Sequence, residues 1–184
     1  PIFLNAAAPP NIARIRRCRA LGNAMGRFID DEPRRTLLIG SGGLSHDPPV
    51  PTLPHSDPIV RARITQKHEP TDAEREAKTQ RVMAAGIALA AGTSLRKPIN
   101  PVWDLHWMAA MAGRASDLDA LSRDITENSI EQEAGLSAHE SKTWMVARSA
   151  LPDDRDLRCP VRYYRAIPEY IAGFGIMYLD NYTK

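Results

Sequence analysis

The sequence predicts an α/β fold, in which a mixed central sheet is flanked by helices and is truncated on its N-terminal side. Residues 36–39 read TLLI, a continuous apolar run that is typical of a strand buried on both faces. Residues 11–28 precede this run and place apolar side chains at the 3.6-residue spacing of a helix. The chain opens on PIFL, a strand-like run that needs partners for its ladder. Strand, helix and strand in this order favour some parallel pairing.

End signals and apolar periodicity predict four further helices. They are 75–91, a helix that opens at Asn100-Pro101, 117–121 and 137–151. Thr71 and Glu74 form a capping box before the first of them, and Pro152 ends the last. Residues 158–174 are aromatic and broken by proline, so we expect loop and short strand there. No internal repeat or domain boundary interrupts residues 1–184.

Composition excludes several classes of protein. Hydrophobic residues make up 43% and charged residues 25% of the 184, as in ordinary globular proteins. The sequence contains no run of 18 apolar residues, so no membrane span is predicted. A net charge of +2 with only 6% aromatic residues argues against a nucleic-acid binder. Cys18 and Cys159 lie far apart and outside any C-x-x-C pattern, which favours two free thiols in a reducing cytoplasm. No secretory signal is visible, so a cytoplasmic location is expected.

His46 is the first candidate for chemistry. It ends the glycine-rich segment 40–46, which reads GSGGLSH and follows the predicted strand directly. Ligands of open α/β sheets bind beyond the carboxyl ends of strands, and a histidine there is suited to proton transfer near neutral pH. A histidine that only hydrogen-bonds the turn fits the residues equally well. The proline-rich segment 47–58 is expected to be an irregular loop beside the turn.

Glu140 is the second candidate, and two interpretations are open. Residues 137–140 fit an S-x-x-E capping box, in which Glu140 would bond back to the helix N-terminus. Glu140 as a metal ligand facing a cleft is the alternative, and the residues alone favour the cap. His55, His68 and His106 have no spacing that pairs them at one site.

The segment 162–175 is unusually dense in tyrosine and arginine. It is suited to line a site for an aromatic, acidic small molecule. A terminal arm packed on the body of the protein or on a neighbouring subunit is the alternative.

Four segments together resemble the class III extradiol dioxygenases, the protocatechuate 4,5-dioxygenase-like superfamily. They are residues 37–46 with 48–51, Asn100-Pro101 with Trp103-Asp104, His139-Glu140 with 142–144, and the tail 162–175. The resemblance covers nearly the whole chain in order. The tail favours the branch that acts on catechols with an acidic side chain, of the 2,3-dihydroxyphenylpropionate type.

The resemblance implies an enzyme of aromatic catabolism that opens a catechol ring with O₂ and Fe(II). The iron of this family is held by two histidines and one carboxylate. The family's acid/base histidine falls on His46 and its carboxylate ligand on Glu140, which reverses the preference for a cap. Arg162, Tyr164 and Arg165 are the expected substrate-binding residues, because a cation there would complement the acidic side chain.

The chain departs from the family pattern on its N-terminal side. The two iron-binding histidines and a second acid/base histidine belong to an N-terminal half that has no counterpart here. Residues 1–184 are therefore expected to be the C-terminal part of a single catalytic α/β domain, inactive without a missing N-terminal segment or partner chain. A homo-oligomer is also expected. The alternative is a non-catalytic α/β chain that binds an aromatic acid or a partner subunit.

Overall fold

A computed structural model describes residues 1–6, 11–51, 53, 57–66, 69–152 and 157–180. Helices and one hairpin make up the regular structure of these residues. The helices are α1 Ile15–Asp30, α2 Pro58–Thr65, α3 Asp72–Ala90, α4 Pro101–Ala112, α5 Ala115–Asp124, α6 Glu127–Ala134 and α7 Lys142–Ser149, with short 3-10 helices at Leu136–Ser141 and Pro168–Tyr170; the strands are β1 Arg158–Ile167 and β2 Ala172–Asp180. Within the described ranges, no helix has both the length and the apolar character of a membrane-crossing segment.

The core lies around α4, whose Trp107 and Met108 are completely buried. Trp103 and Trp107 are one helical turn apart and stack with their ring centroids 5.2 Å from each other. Helix α1 packs against α7 at close range. Gly22 permits this approach, since a Cβ there would overlap the carbonyl oxygen of Val146. The core therefore joins α1 to α4 and α7.

Local end signals account for the start of two predicted helices. Thr71 and Glu74 make both bonds of the capping box before α3, and Glu74 Oε2 accepts the Thr71 N–H at 2.8 Å. Asn100 Oδ1 accepts the N–H of Trp103 at 3.1 Å at the start of α4, where Pro101 takes the first helical position. These predictions are confirmed, as are the helices over 11–28 and 117–121 within a few residues.

Three helical segments differ from the expectation, and one of them is α2, for which no helix was predicted. Helix α6 was not predicted; its side of the core is formed by Ile130 and Ala134, two apolar residues among polar ones. The single helix predicted over 137–151 is a 3-10 helix followed by α7. The 3-10 segment is tighter than an α-helix, and it changes the direction in which residue 140 points.

The chain contains both helices and strands, which confirms the α/β class. Its described sheet has two strands, β1 and β2, and is antiparallel, with Tyr164 opposite Gly175. The expected parallel pairing is not present in the described part of the chain. The hairpin turns through Pro168–Tyr170 and through Ile171, whose φ of 55° is left-handed and whose side chain is 2% exposed. Burial of a β-branched side chain offsets this backbone strain.

Residues 36–39 are extended, but the prediction of a strand buried on both faces is wrong for the described structure. Leu37 is 75% and Ile39 79% exposed, and no backbone hydrogen bond is formed by residues 36–39. The opening run is similar, with Phe3 92% exposed. A continuous apolar run is typical of a strand that is covered on both faces. Among the described residues, no strand pairs with or covers residues 36–39.

Candidate functional site

The glycine-rich turn 40–46 is fixed by backbone contacts to two elements. The His46 N–H donates to the carbonyl of Ala134 at 2.8 Å, at the end of α6. On the other side, the N–H of Gly173 donates to the Ser45 carbonyl at 2.8 Å, and His46 forms an isolated bridge with Ala172 of β2. The backbone that carries the His46 side chain is therefore held between a helix end and a strand.

The His46 ring is oriented by its own turn. Nδ1 lies 2.8 Å from the Leu44 carbonyl oxygen, so Nδ1 carries the proton and donates it. Nε2 then faces Glu140, with 3.6 Å between Nε2 and Oε2. Burial lowers the pKa of His46, but the contact with Glu140, the bond to Leu44 and the charges of Glu140 and Asp104 outweigh it and raise the pKa above its ordinary value.

Glu140 reaches the turn from the 3-10 helix Leu136–Ser141. Its Oε2 accepts the N–H of Gly43 at 3.1 Å. Contact with His46, which is the largest effect, and the Gly43 N–H hold the pKa of Glu140 below its usual range, against the opposing effect of partial burial. The alternative interpretation of residues 137–140 as a capping box does not hold: the Glu140 carboxylate bonds the distant turn, and among the described residues no side chain caps the 3-10 helix.

Helix α7 holds the same turn through two side chains of segment 142–144, to which the sequence analysis assigned no role. Trp144 Nε1 donates to the carbonyl of Gly42 at 2.9 Å, and Thr143 Oγ1 donates to that of Ser41 at 2.9 Å. Gly42 requires its lack of a side chain, because a Cβ would overlap the carbonyl oxygen of Glu140. His46 and Glu140 are thus brought together by close backbone approach as well as by their own contact.

Asp104 is a completely buried carboxylate behind the turn, and its role was also missed. Oδ1 accepts the N–H of Ser45 at 2.6 Å, while Oδ2 accepts the hydroxyls of Ser45 and Tyr164, each at 2.7 Å. Burial raises the pKa of Asp104 despite these bonds, and burial with Asp104 as acceptor raises the pKa of Tyr164. The one available signal was an acidic residue between Trp103 and Trp107 on the core face of α4.

Of the three predicted substrate-binding residues, Arg162 and Tyr164 share a face of β1 and Arg165 does not. Tyr164 faces α4 and donates its hydroxyl to Asp104. Arg162 lies on the same face of β1, where its Nη2 donates to the carbonyl of Leu105 at 3.3 Å, and its side chain is exposed. Arg165 is one residue from Tyr164 and therefore points to the other face, opposite Phe174 of β2.

Comparison with known families decides the family of this chain. The family model described as the catalytic LigB subunit of aromatic ring-opening dioxygenase matches residues 1–175. The chain belongs to the LigB family.

Several curated dioxygenases are similar to this LigB-family chain along almost its whole length. The 2,3-dihydroxyphenylpropionate/2,3-dihydroxicinnamic acid 1,2-dioxygenase of Comamonas testosteroni is 63% identical over 181 residues, which are 98% of this chain and 56% of that protein. Proteins of the same description from Burkholderia vietnamiensis and Mycobacterium ulcerans are 44% and 45% identical, over 100% and 96% of this chain and 56% and 55% of their own lengths. The chain thus spans little more than half the length of these relatives.

Within the described ranges, no group of three or more His, Cys, Asp and Glu side chains is arranged to hold a metal ion. Glu140 fits one ligand position, because its side chain is 41% exposed and its lowered pKa keeps it anionic. The neighbouring His139 is completely buried and directs Nε2 to Glu131 at 3.0 Å, away from the turn. His106 is exposed on α4, and His55 and His68 lie outside the described residues.

Proposed function

We propose that this chain is the C-terminal part of a single catalytic α/β domain, in an Fe(II)-dependent extradiol dioxygenase. Its substrates are O₂ and a catechol with an acidic side chain, of the 2,3-dihydroxyphenylpropionate type. The observation that carries the proposal is the contact of 3.6 Å between His46 Nε2 and Glu140 Oε2 in a chain of the LigB family. The relatives are 2,3-dihydroxyphenylpropionate/2,3-dihydroxicinnamic acid 1,2-dioxygenases, which supports the choice of substrate.

In this proposal Glu140 is the carboxylate ligand of the iron. Bound iron would supply a Lewis acid that lowers the pKa of a catechol hydroxyl. Glu140 is suited to this position because Gly43 fixes one of its carboxylate oxygens and partial exposure leaves the group accessible. The two histidines of the ligand set would come from a part of the polypeptide outside this chain.

His46 is the proposed acid/base. With Nδ1–H held by the Leu44 carbonyl, Nε2 is the nitrogen that exchanges protons with the substrate. Nε2 would accept the proton of the second catechol hydroxyl, and the resulting imidazolium would be stabilised by the Glu140 carboxylate beside it. The same nitrogen would return a proton when the ring opens.

Arg162, Tyr164 and Arg165 remain the proposed contacts of the acidic side chain. The alternation of side chains along β1 favours Arg162 over Arg165, because Arg162 shares a face with Tyr164. The hydrogen bond from Arg162 Nη2 to the Leu105 carbonyl leaves the rest of the guanidinium to bind a carboxylate. Tyr164 already donates to Asp104, so towards a carboxylate it would contribute ring packing.

We also propose a homo-oligomeric, cytoplasmic enzyme, for which the free thiols of Cys18 and Cys159 are consistent with a reducing compartment. A second candidate function is a non-catalytic chain that binds an aromatic acid or a partner subunit. The lack of a three-residue metal group in the described ranges favours this alternative for the chain on its own.

Anaerobic reconstitution with Fe(II) tests the function. The chain is mixed with a polypeptide that carries the remaining segment of a LigB-family relative, then given 2,3-dihydroxyphenylpropionate and O₂. Yellow ring-fission product is expected from the mixture, with weak iron binding and no product from the chain alone. Absence of product from an iron-loaded mixture that binds the catechol would favour the binding protein.

A further inference from the structure

We propose that Asp104 is a positioning residue that sets the orientation of the His46 imidazole. Asp104 does not contact His46 through a hydrogen bond; it acts through the adjacent Ser45. The inference rests on the proposed acid/base role of His46 only where activity is measured. It assigns a function to a buried carboxylate that the reaction itself does not use.

Asp104 holds Ser45 by two atoms at once. One carboxylate oxygen accepts the backbone N–H and the other accepts the hydroxyl, at 2.6 and 2.7 Å. The Ser45 hydroxyl also accepts the N–H of Asn100 at 2.9 Å, so both its donor and its acceptor capacity are used. With the Ser45 carbonyl taken by Gly173, every polar group of this residue has a partner. Ser45 is therefore fixed completely in position and in rotation.

The fixed position of Ser45 constrains His46 through the two peptide bonds of Ser45. The peptide after Ser45 sets the direction of the His46 backbone. The peptide before Ser45 contains the Leu44 carbonyl, which is the acceptor for His46 Nδ1. Rotation of the Ser45 peptides would thus disturb the His46 backbone and the bond that fixes its tautomer together. The packing around Asp104 is close, since a Cβ on Gly173 would overlap Asp104 Oδ2.

Charge, and not only shape, is needed at this position. Oδ2 accepts two hydroxyls, from Ser45 and Tyr164, and is completely buried. An asparagine retains one acceptor oxygen for the Ser45 N–H, but its NH₂ group cannot accept from either hydroxyl. Both hydroxyls would then lose their buried acceptor, which would weaken the attachment of the turn to α4 and that of β1 to α4 together.

The test is Asp104→Asn, with Asp119→Asn as the matched control. Asp119→Asn also removes a carboxylate, one that forms an ion pair with Arg19 at 2.7 Å, but Arg19 lies on α1, away from the turn. The first measurement is the ¹⁵N spectrum of the His46 ring in the chain itself, assigned by its disappearance in His46→Ala. The second is kcat and KM for ring cleavage in the reconstituted mixture. Thermal unfolding of each variant is recorded in parallel.

At a pH at which the His46 ring is neutral, we expect the wild type and Asp119→Asn to show a single Nδ1–H tautomer, and Asp104→Asn to show a mixture. We expect kcat of Asp104→Asn to fall by about tenfold to a hundredfold with KM within about threefold, since small displacements of a catalytic group act on kcat. If Asp104→Asn does not fold, Ser45→Ala removes one of the three bonds to Asp104, together with the bond from the Asn100 N–H, and should show the same changes to a smaller degree.

An unchanged tautomer and an unchanged kcat, with only a lower unfolding temperature, would overturn the proposal and leave Asp104 a structural residue. If the wild-type mixture gives no product, the proposed function fails, and the ¹⁵N spectrum alone decides the role of Asp104. A mixed tautomer would then still support it, and a single one would exclude it.

Discussion

Two carboxylates near the turn differ because of what surrounds them. Burial raises the pKa of Asp104, which is enclosed by α4, the turn and β1. Contact with His46 and the Gly43 N–H lowers the pKa of Glu140, which is partly exposed. Glu140 is thus the accessible carboxylate, whose partners favour its anionic form, whereas Asp104 is enclosed and accepts hydrogen bonds from the scaffold.

Replacement of His46 by alanine should abolish turnover in the reconstituted mixture. Binding of Fe(II) and of the catechol should change little, because Glu140 keeps its bond to Gly43. Stopped-flow measurement of product formation, with separate titration of iron and of catechol, checks this. His106→Ala is the control, since His106 is exposed on α4. Retained turnover in His46→Ala would count against the acid/base role.

Cys18 should make stability depend on alkaline pH. Burial raises the pKa of this thiol from an ordinary value of 9.0 to about 11, and the residue is 1% exposed. A raised pKa in the folded state gives a contribution that is complete below about pH 9 and is lost as the pH rises to about 11. At most about 2–3 kcal/mol of the free energy of unfolding is lost in this window.

Urea unfolding of the wild type and of Cys18→Ala between pH 8 and 11 measures this dependence. The difference between the two free energies should narrow as the pH rises, because the alanine variant has no thiol to ionise. Parallel curves would show that Cys18 ionises as readily in the folded chain as in the unfolded one.

At the scale of elements, the sequence predicted correctly those helix ends that depend on residues close to each other in the chain. The caps at Thr71 and Asn100 gave the starts of α3 and α4, because each cap bond is made within three residues. Helix α6 was missed because only Ile130 and Ala134 of its eight residues are buried, too few for a clear period. The full length of the hairpin was not predicted, because β1 lacks a clear alternation of polar and apolar residues. Tyr163, for example, is 47% exposed on a face where polar residues would be expected.

The candidate site shows the same division. His46 and Glu140 were found from the glycine turn and from family resemblance, yet their contact joins residues 94 positions apart. The roles of Asp104 and Trp144 were not predicted, because each acts on the turn from a distant helix, across 59 and 102 positions. No local pattern records such contacts. Only the acidic residue within an otherwise apolar helix face gave a hint of one of them.

Removal of the α3 cap should lower stability by a moderate amount. Thr71→Ala deletes the hydroxyl that accepts the Glu74 N–H and should lower the free energy of unfolding by about 1 kcal/mol. Thr79→Ala is the matched control within α3, where the hydroxyl only bonds back to the carbonyl of Arg75. Urea unfolding followed by circular dichroism compares them. Equal losses in the two variants would show that the cap contributes nothing specific.

For the whole molecule, the two extended segments at residues 1–6 and 36–39 leave large apolar side chains exposed, as some of the helices also do. Phe3, Leu37 and Ile39 are all more than 70% exposed, although such side chains are usually buried. The relatives are nearly twice as long as the chain, which spans 56% of the Comamonas testosteroni protein. These two facts together support the proposal that further polypeptide completes the domain.

The bare segment 36–39 has a consequence for handling the chain. Its free amide and carbonyl groups, set between apolar side chains, form a template onto which other copies can add as β-strands. We expect association that grows with protein concentration, visible by light scattering. The double change Leu37→Lys and Ile39→Lys should suppress it, whereas Leu95→Lys, at another fully exposed leucine, should not. Equal scattering from all three proteins would mean that aggregates grow from elsewhere.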